Sequence, residues 1–126
     1  MHLVTFSLLG STDEARTEVK NALFGSAYCR LLTECSDGIQ LIADVSRVRP
    51  SAAIIVLDAL KQDDDFELIK KLAASAADTA IITASSDASP ATILGSLRAG
   101  AHEFLQRPPW FRLEQDREIA TPGQER

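Results

Sequence analysis

Three residues between positions 58 and 107 have side chains that could act together on one small anionic group. Asp58 ends the apolar run 53–57, Thr83 ends the run 80–82, and Arg107 follows a further short apolar segment and precedes a proline. Parallel strands place their carboxyl ends along one edge of a sheet, and open α/β sheets bind ligands at that edge. If these runs are parallel strands, a carboxylate, a hydroxyl and a cation converge there.

The segments that position these residues alternate between strand and helix along the whole chain. Apolar, partly β-branched runs predict five strands, at residues 3–9, 27–32, 53–57, 79–83 and 104–105. Apolar residues at helical spacing fill the intervals between them. The strands are too apolar to face water on either side, so they predict a parallel sheet covered by helices on both faces. The expected fold is therefore a three-layer α/β fold of (βα)₄β order.

Local signals predict where the helices begin and end. Ser11 with Glu14 three residues later is typical of a capping box, Ser36 or Asp37 is expected to cap the second helix, and Ser89 the fourth. Gly100 predicts the stop of the fourth helix. Helical spacing predicts that Ile93, Leu94 and Leu97 face the core. The acidic run Asp63-Asp64-Asp65 is interpreted as a solvated helix start, because no glycine turn or later glutamate completes a calcium loop.

Composition limits the classes of function. The chain has 126 residues, of which 45% are hydrophobic and 25% charged, as expected for one soluble domain. Its 13 basic and 18 acidic residues give a net charge of −5, which disfavours a nucleic-acid-binding face. The sequence shows no secretion signal and no membrane-length apolar run, so we expect a cytoplasmic protein with Cys29 and Cys35 reduced. Two histidines are too few for a zinc site, and we expect no metal and no cofactor.

Together, these motifs resemble the receiver domain of two-component response regulators, which has a flavodoxin-like (CheY-like) fold. The resemblance covers residues 3–108 and rests on the runs 54–58 and 82–84 and on the segment 97–108. It implies a receiver-like domain over residues 1–108, and residues 109–126 are expected to form a short, atypical last helix and a flexible tail. It also implies that Asp58 is the phospho-acceptor position and that Thr83, Phe104 and Arg107 are the positions that sense the phosphoryl group.

The sequence departs from that family at the end of the first strand. Active receivers carry two adjacent carboxylates there, which hold Mg²⁺, whereas this chain has Leu9, Gly10 and Ser11. Phosphoryl transfer needs the metal to offset the charge that gathers beside the acceptor carboxylate. Asp13 and Glu14 are close in sequence but are expected to cap a helix. The sequence therefore predicts a degenerate receiver, or pseudo-receiver, without enzymatic activity.

The leading hypothesis is a signalling or scaffold domain that acts through protein–protein contact. The predicted interaction face comprises Leu97, Arg98, Phe104, Trp110 and Phe111. The segment 97–105 and its following prolines are similar to the receiver at the N-terminus of Tad/Flp pilus-assembly ATPases. That similarity implies a role in pilus assembly and localisation, with an ATPase domain, a sensor kinase or a second copy of the chain as partner.

Two alternatives remain open. In the first, Asp58 is a working Mg²⁺-dependent phospho-acceptor, and Asp13 or Glu14 recruits the metal. In the second, the loop Gly10-Ser11-Thr12 holds the phosphate of FMN or of another ligand at a helix N-terminus, as in flavodoxins.

Overall fold

Five parallel strands form the sheet in the part of the chain that the computed structural model describes, residues 3–23 and 27–106. The strands alternate with four α-helices, as predicted, and the strand order is β2-β1-β3-β4-β5. The elements are β1 (Val4–Leu9), α1 (Asp13–Leu23), β2 (Cys29–Cys35), α2 (Gly38–Val48), β3 (Ala52–Val56), a 3₁₀ turn (Ala59–Lys61), α3 (Gln62–Ser75), β4 (Ala80–Ser85), α4 (Pro90–Ala99) and β5 (Glu103–Gln106).

The burial of each strand follows from its place in the sheet. All five residues of the central strand β3 are buried, whereas the edge strand β2 alternates between half-buried and exposed residues. A central parallel strand is covered by helices on both faces, which explains why β3 is an unbroken apolar run in the sequence.

Alternate residues of β3 belong to two separate cores, because side chains point to opposite faces along a strand. Ile54 and Val56 pack with Ala15 and Val19 of α1. On the other face, Ile55 packs with residues of α2, α3 and α4, including Leu41, Val45, Ile69, Leu72 and Ala99. The structure therefore has the predicted three layers.

Three of the predicted helix boundaries are confirmed by their hydrogen bonds. Asp37 caps α2 and accepts the N–H of Gln40 at 2.9 Å, and Ser89 caps α4 and accepts the N–H of Thr92 at 3.4 Å. Gly100 ends α4 with φ at 128°, a conformation that favours glycine. The prediction that Ser11 caps α1 is wrong, since the helix begins at Asp13 and the hydroxyl of Thr12 accepts the N–H of Ala15 at 3.1 Å.

The face of α4 that packs on the sheet differs from the prediction. Its buried residues are Thr92, Ser96 and Ala99, whereas Leu94 is 45% exposed and Leu97 39% exposed.

Close contact with α3 explains this orientation of α4. A Cβ on Gly95 would lie 2.6 Å from Phe66 Cε2, and one on Gly100 would lie 2.8 Å from Ala73 Cβ. The small residues of α4 allow the two helices to approach closely, and its leucines are turned outward as a result.

Several predictions concern residues outside the described part of the chain. These are the role of Arg107, the contacts of Trp110 and Phe111, and the short last helix and tail at residues 109–126. Within the described residues, both cysteines are free thiols, and burial raises the pKa of Cys35 to about 11. None of the described helices has the length and apolar character needed to cross a membrane.

Candidate functional site

Asp58 lies at the carboxyl edge of the sheet, two residues beyond the end of β3, with its side chain half-buried. One carboxylate oxygen, Oδ1, accepts the backbone N–H of Leu60 at 2.9 Å and so caps the 3₁₀ turn. The other, Oδ2, accepts the hydroxyl of Ser11 at 3.2 Å. Both oxygens of the predicted phospho-acceptor residue are therefore engaged within the chain.

Ser11 contacts Asp58 because the loop after β1 is held in place by Arg16. The Arg16 guanidinium donates to the backbone oxygen of Gly10 at 2.6 Å and to Glu34 at 3.2 Å, and it also pairs with Asp13. A Cβ on Gly10 would lie 2.8 Å from Arg16 Cγ, so the absence of a side chain lets the arginine lie across the loop. The end of β1 consequently presents a neutral hydroxyl to Asp58.

Asp65 is a further member of the site, and sequence reasoning placed it in a solvated helix start. It lies in the first turn of α3, and its Oδ2 accepts the backbone N–H of Asp58 at 2.8 Å. Burial raises its pKa to about 6, and the charges of Asp58 and Asp64 act in the same direction. The sequence signal that could have identified Asp65 is its position two turns after a strand end, on the side of α3 that includes buried Leu68, Ile69 and Leu72.

Thr83 does not meet Asp58 at the sheet edge. It is fully buried, pairs with Ile55 in the register of β3 and β4, and donates its hydroxyl to Ser96 Oγ and to the backbone oxygen of Glu103, each at 3.3 Å. Since Asp58 is three residues beyond Ile55, the two levels are separated by about 10 Å along the strand. The expectation that Thr83 lies beside Asp58 at the sheet edge is therefore wrong, because the register of β3 and β4 places Thr83 deeper in the sheet.

Ser85 is the hydroxyl residue that the structure places at the end of β4. The N–H of Leu57 donates to the backbone oxygen of Ala84 at 2.8 Å. Ser85, the next residue of β4, therefore lies close to the point where the chain leaves β3 and reaches Asp58. Its Oγ accepts the N–H of Asp87 at 3.0 Å, which places it in the turn that leads to α4. In the sequence, Ser85-Ser86 is the first polar pair after the apolar run, and this pair could have indicated where β4 ends.

The described part of the predicted interaction face lies on α4 and β5. Leu97 and Arg98 are exposed on α4, together with Leu94. Phe104 pairs with Thr83 in the register of β4 and β5 and is half-buried against the core that α2, α3 and α4 share. Arg107, Trp110 and Phe111 of the predicted site and face lie outside the described residues.

The donor set around Asp58 does not fit the Mg²⁺ site of an active receiver. Mg²⁺ requires a near-ideal octahedron of oxygen ligands, usually with carboxylates among them. Gly10 and Ser11 supply no carboxylate, Asp13 is paired with Arg16, and Asp65 is bonded to the backbone. Over the described residues, no group of three or more histidine, cysteine, aspartate or glutamate side chains is arranged to hold a metal ion.

Comparisons with known proteins identify the fold. No protein-family model matches the chain, and no curated protein matches its sequence. Solved structures are similar to this chain over nearly its whole length, and three of them are described below.

The signal receiver domain of the response regulator NarL from Mycobacterium tuberculosis has a TM-score of 0.73 at 17% identity and covers 98% of this chain and 100% of its own. The isolated receiver domain of RcsB from Salmonella enterica serovar Typhimurium, solved with the phosphomimetic BeF₃⁻, has a TM-score of 0.76 at 16% identity, with coverage of 99% and 93%. A pilus assembly-related protein from Burkholderia pseudomallei has a TM-score of 0.72 at 15% identity, with coverage of 98% and 94%. Together with the strand order and the position of Asp58, these similarities establish that the chain has the fold of response-regulator receiver domains.

Proposed function

We propose that this chain is a cytoplasmic signalling or scaffold domain with a receiver fold, which acts through contacts with other proteins and not through metal-dependent phosphorylation. The observation that carries this proposal is the hydrogen bond of 3.2 Å from the Ser11 hydroxyl to Asp58. Ser11 lies in the segment after β1, where the resemblance to active receivers implies metal-binding carboxylates.

The chemistry of phosphoryl transfer explains why this exchange matters. A phosphoryl donor and an acceptor carboxylate are both anionic, and a divalent cation offsets their repulsion in the transition state. Ser11 is neutral, and both Asp58 oxygens already accept hydrogen bonds. Asp58 then serves as a structural cap of the turn that leads into α3.

The surface of α4 supports a contact function. Leu94 and Leu97 are exposed while the buried face of the same helix carries Thr92 and Ser96, so the more apolar side of α4 is directed toward solvent. Such a face is stabilised when another protein covers it. We propose that this surface, with Arg98 and Phe104 beside it, binds a protein partner.

Participation in pilus assembly is part of the proposal. It is supported by the similarity to the pilus assembly-related protein from Burkholderia pseudomallei, at 15% identity. Isothermal titration of the chain with a pilus-assembly ATPase domain is expected to show binding that Leu94→Ser with Leu97→Ser removes. Binding that is unchanged in this double variant would contradict the assignment of the α4 face.

The phosphorylation test is intact-protein mass after incubation with acetyl phosphate and Mg²⁺. We expect no adduct under conditions in which an active receiver, used as the positive control, is modified. An adduct that disappears in Asp58→Ala and after addition of a chelator would refute the proposal.

One observation favours the second candidate, a working phospho-acceptor. Asp58 is only half-buried and borders an open groove, so a small phosphodonor could approach it. The predicted metal ligands are less favourable, because Asp13 is paired with Arg16 and Glu14 is exposed on α1. The same mass measurement decides between the two candidates.

A further inference from the structure

A groove of about 480 Å³ lies between the N-terminal turns of α2 and α3 and opens beside Asp58. We call it the α2–α3 groove. Its apolar lining includes Leu9, Ile42 and Leu68, of which Leu9 and Leu68 belong to the core below. The helices meet where Gly38 faces Leu68, since a Cβ on Gly38 would lie 3.1 Å from both Leu68 δ carbons. The groove therefore has an apolar floor that reaches the core.

Two exposed aliphatic side chains belong to the elements that border this groove. Ile39, in the first turn of α2, lines it and is 84% exposed, and Leu60, in the 3₁₀ turn, is 93% exposed and precedes the lining residue Lys61. They are the most exposed large apolar side chains among the described residues. Single exposed aliphatic residues are common on protein surfaces, but a pair beside an apolar groove is typical of a binding surface.

The rim of the groove is acidic. Five carboxylates and two lysines line it: Asp37, Asp58, Asp64, Asp65, Glu67, Lys61 and Lys71. Of the carboxylates, only Glu67 forms a salt bridge within the described part of the chain. Burial is the main cause of the raised pKa of Asp65, and the negative charges of Asp58 and Asp64 add to it. A cationic side chain entering the groove would reduce this repulsion.

We propose that the α2–α3 groove docks a basic, aliphatic segment of a partner protein. Leucine or isoleucine side chains of that segment contact Ile39, Leu60 and the apolar floor, and its lysine or arginine side chains pair with the carboxylates of the rim. Charge complementarity selects this occupant, since an acidic peptide or a nucleic acid would be repelled. An amphipathic helix presents such a pattern along one side. This surface lies on different helices from the α4 face and goes beyond the function proposed for that face.

The first test uses a labelled synthetic helical peptide with leucines on one side and lysines flanking them. A matched peptide carries glutamate in place of every lysine. Fluorescence anisotropy with the full chain is expected to show binding of the lysine peptide and none of the glutamate peptide. Amide resonances of residues 37–39 and 60–64 are expected to shift on binding.

Variants locate the site. Ile39→Ser combined with Leu60→Ser is expected to weaken binding of the lysine peptide about tenfold or more, as for residues at the centre of an interface. Asp64→Lys is expected to weaken it as well, because it reverses one charge of the rim. These side chains are exposed, so the variants should fold, which circular dichroism checks. The matched control, Leu94→Ser with Leu97→Ser on α4, is expected to bind like the wild type.

Three results would overturn the proposal. The first is equal loss of binding in the α4 control, and the second is binding that is indifferent to Ile39, Leu60 and Asp64. The third is a concentration-dependent dimer, seen by sedimentation without peptide and abolished by Ile39→Ser with Leu60→Ser, which would make a second copy the occupant. These outcomes are independent of the acetyl phosphate test, so the failure of this proposal and of the proposed function can be told apart.

Discussion

Replacement of Asp65 by asparagine should stabilise the protein at neutral pH. The asparagine side-chain oxygen can still accept the N–H of Asp58, which Asp65 accepts at 2.8 Å, but it carries no charge. The pKa of Asp65 rises from 3.8 to about 6 in the fold. A shift of about two units corresponds to at most about 3 kcal/mol. Because water screens a half-buried carboxylate and the α3 dipole favours its charge, we expect a net gain of about 1 kcal/mol.

The pH dependence has a definite sign. The folded chain binds a proton on Asp65 at a higher pH than the unfolded chain does, so this group adds stability to the wild type as the pH falls through about 6 toward 3.8. Below that range the carboxyl is protonated in both states, and the advantage of Asp65→Asn should disappear. Glu34 and Asp87 have lowered pKa values and act in the opposite sense in acid, so the difference between variant and wild type is the informative quantity.

The assay is urea unfolding followed by far-UV circular dichroism, in buffers from neutral pH to about pH 4. With a slope of about 2 kcal/mol per molar urea, the expected gain moves the midpoint by about 0.5 M. Asp63→Asn, an exposed neighbour in the same helical turn, is the matched control and should stay within about 0.5 kcal/mol of the wild type. An Asp65→Asn variant less stable than the wild type at neutral pH, or a difference that does not change with pH, would refute this reasoning.

Three further predictions concern other positions. Gly95→Ala should lower the free energy of unfolding, measured in urea, by about 1–3 kcal/mol, because its Cβ would lie 2.6 Å from Phe66 Cε2. A second change, Phe66→Leu, should recover part of this loss. A Gly95→Ala variant as stable as the wild type would contradict the close α3–α4 contact. Arg49→Gly should raise the free energy of unfolding by about 0.5–1 kcal/mol, because Arg49 ends α2 with φ at 48°, and no gain would contradict this. Without metal, Ser11→Asp should lower the free energy of unfolding by about 1 kcal/mol, because it places a second carboxylate beside Asp58. Addition of Mg²⁺ should then raise the Tm of this variant more than that of the wild type. An equal response of both proteins to Mg²⁺ and chelator would count against the site geometry.

Features that depend on neighbours within four residues could be predicted from the sequence. In the caps of α2 and α4, the side chains of Asp37 and Ser89 accept N–H groups three residues ahead. The stop at Gly100 depends on one backbone conformation. Such interactions are encoded locally, so their signals are explicit in the chain. The parallel sheet was likewise predictable, because a strand buried on both faces must be apolar throughout.

The composition of the site depended on distant contacts. Ser11 and Asp58 are 47 residues apart, and only the order of β1 and β3 in the sheet brings them together. In the sequence, Asp65 is one of three adjacent aspartates with no feature that distinguishes it. The packing of α3 places its carboxylate against the backbone N–H of Asp58.

The sequence by itself determined the order of strands and helices, most of the helix boundaries and the placement of Asp58 at the carboxyl edge. The tertiary structure decided the depth of Thr83 and the orientation of α4. A strand register places Thr83 about 10 Å below Asp58, and a one-residue difference in register cannot be seen from an apolar run. An α-helix with both aliphatic and small polar stripes can bury either one, and the close approach of α4 to Phe66 selects the small polar stripe.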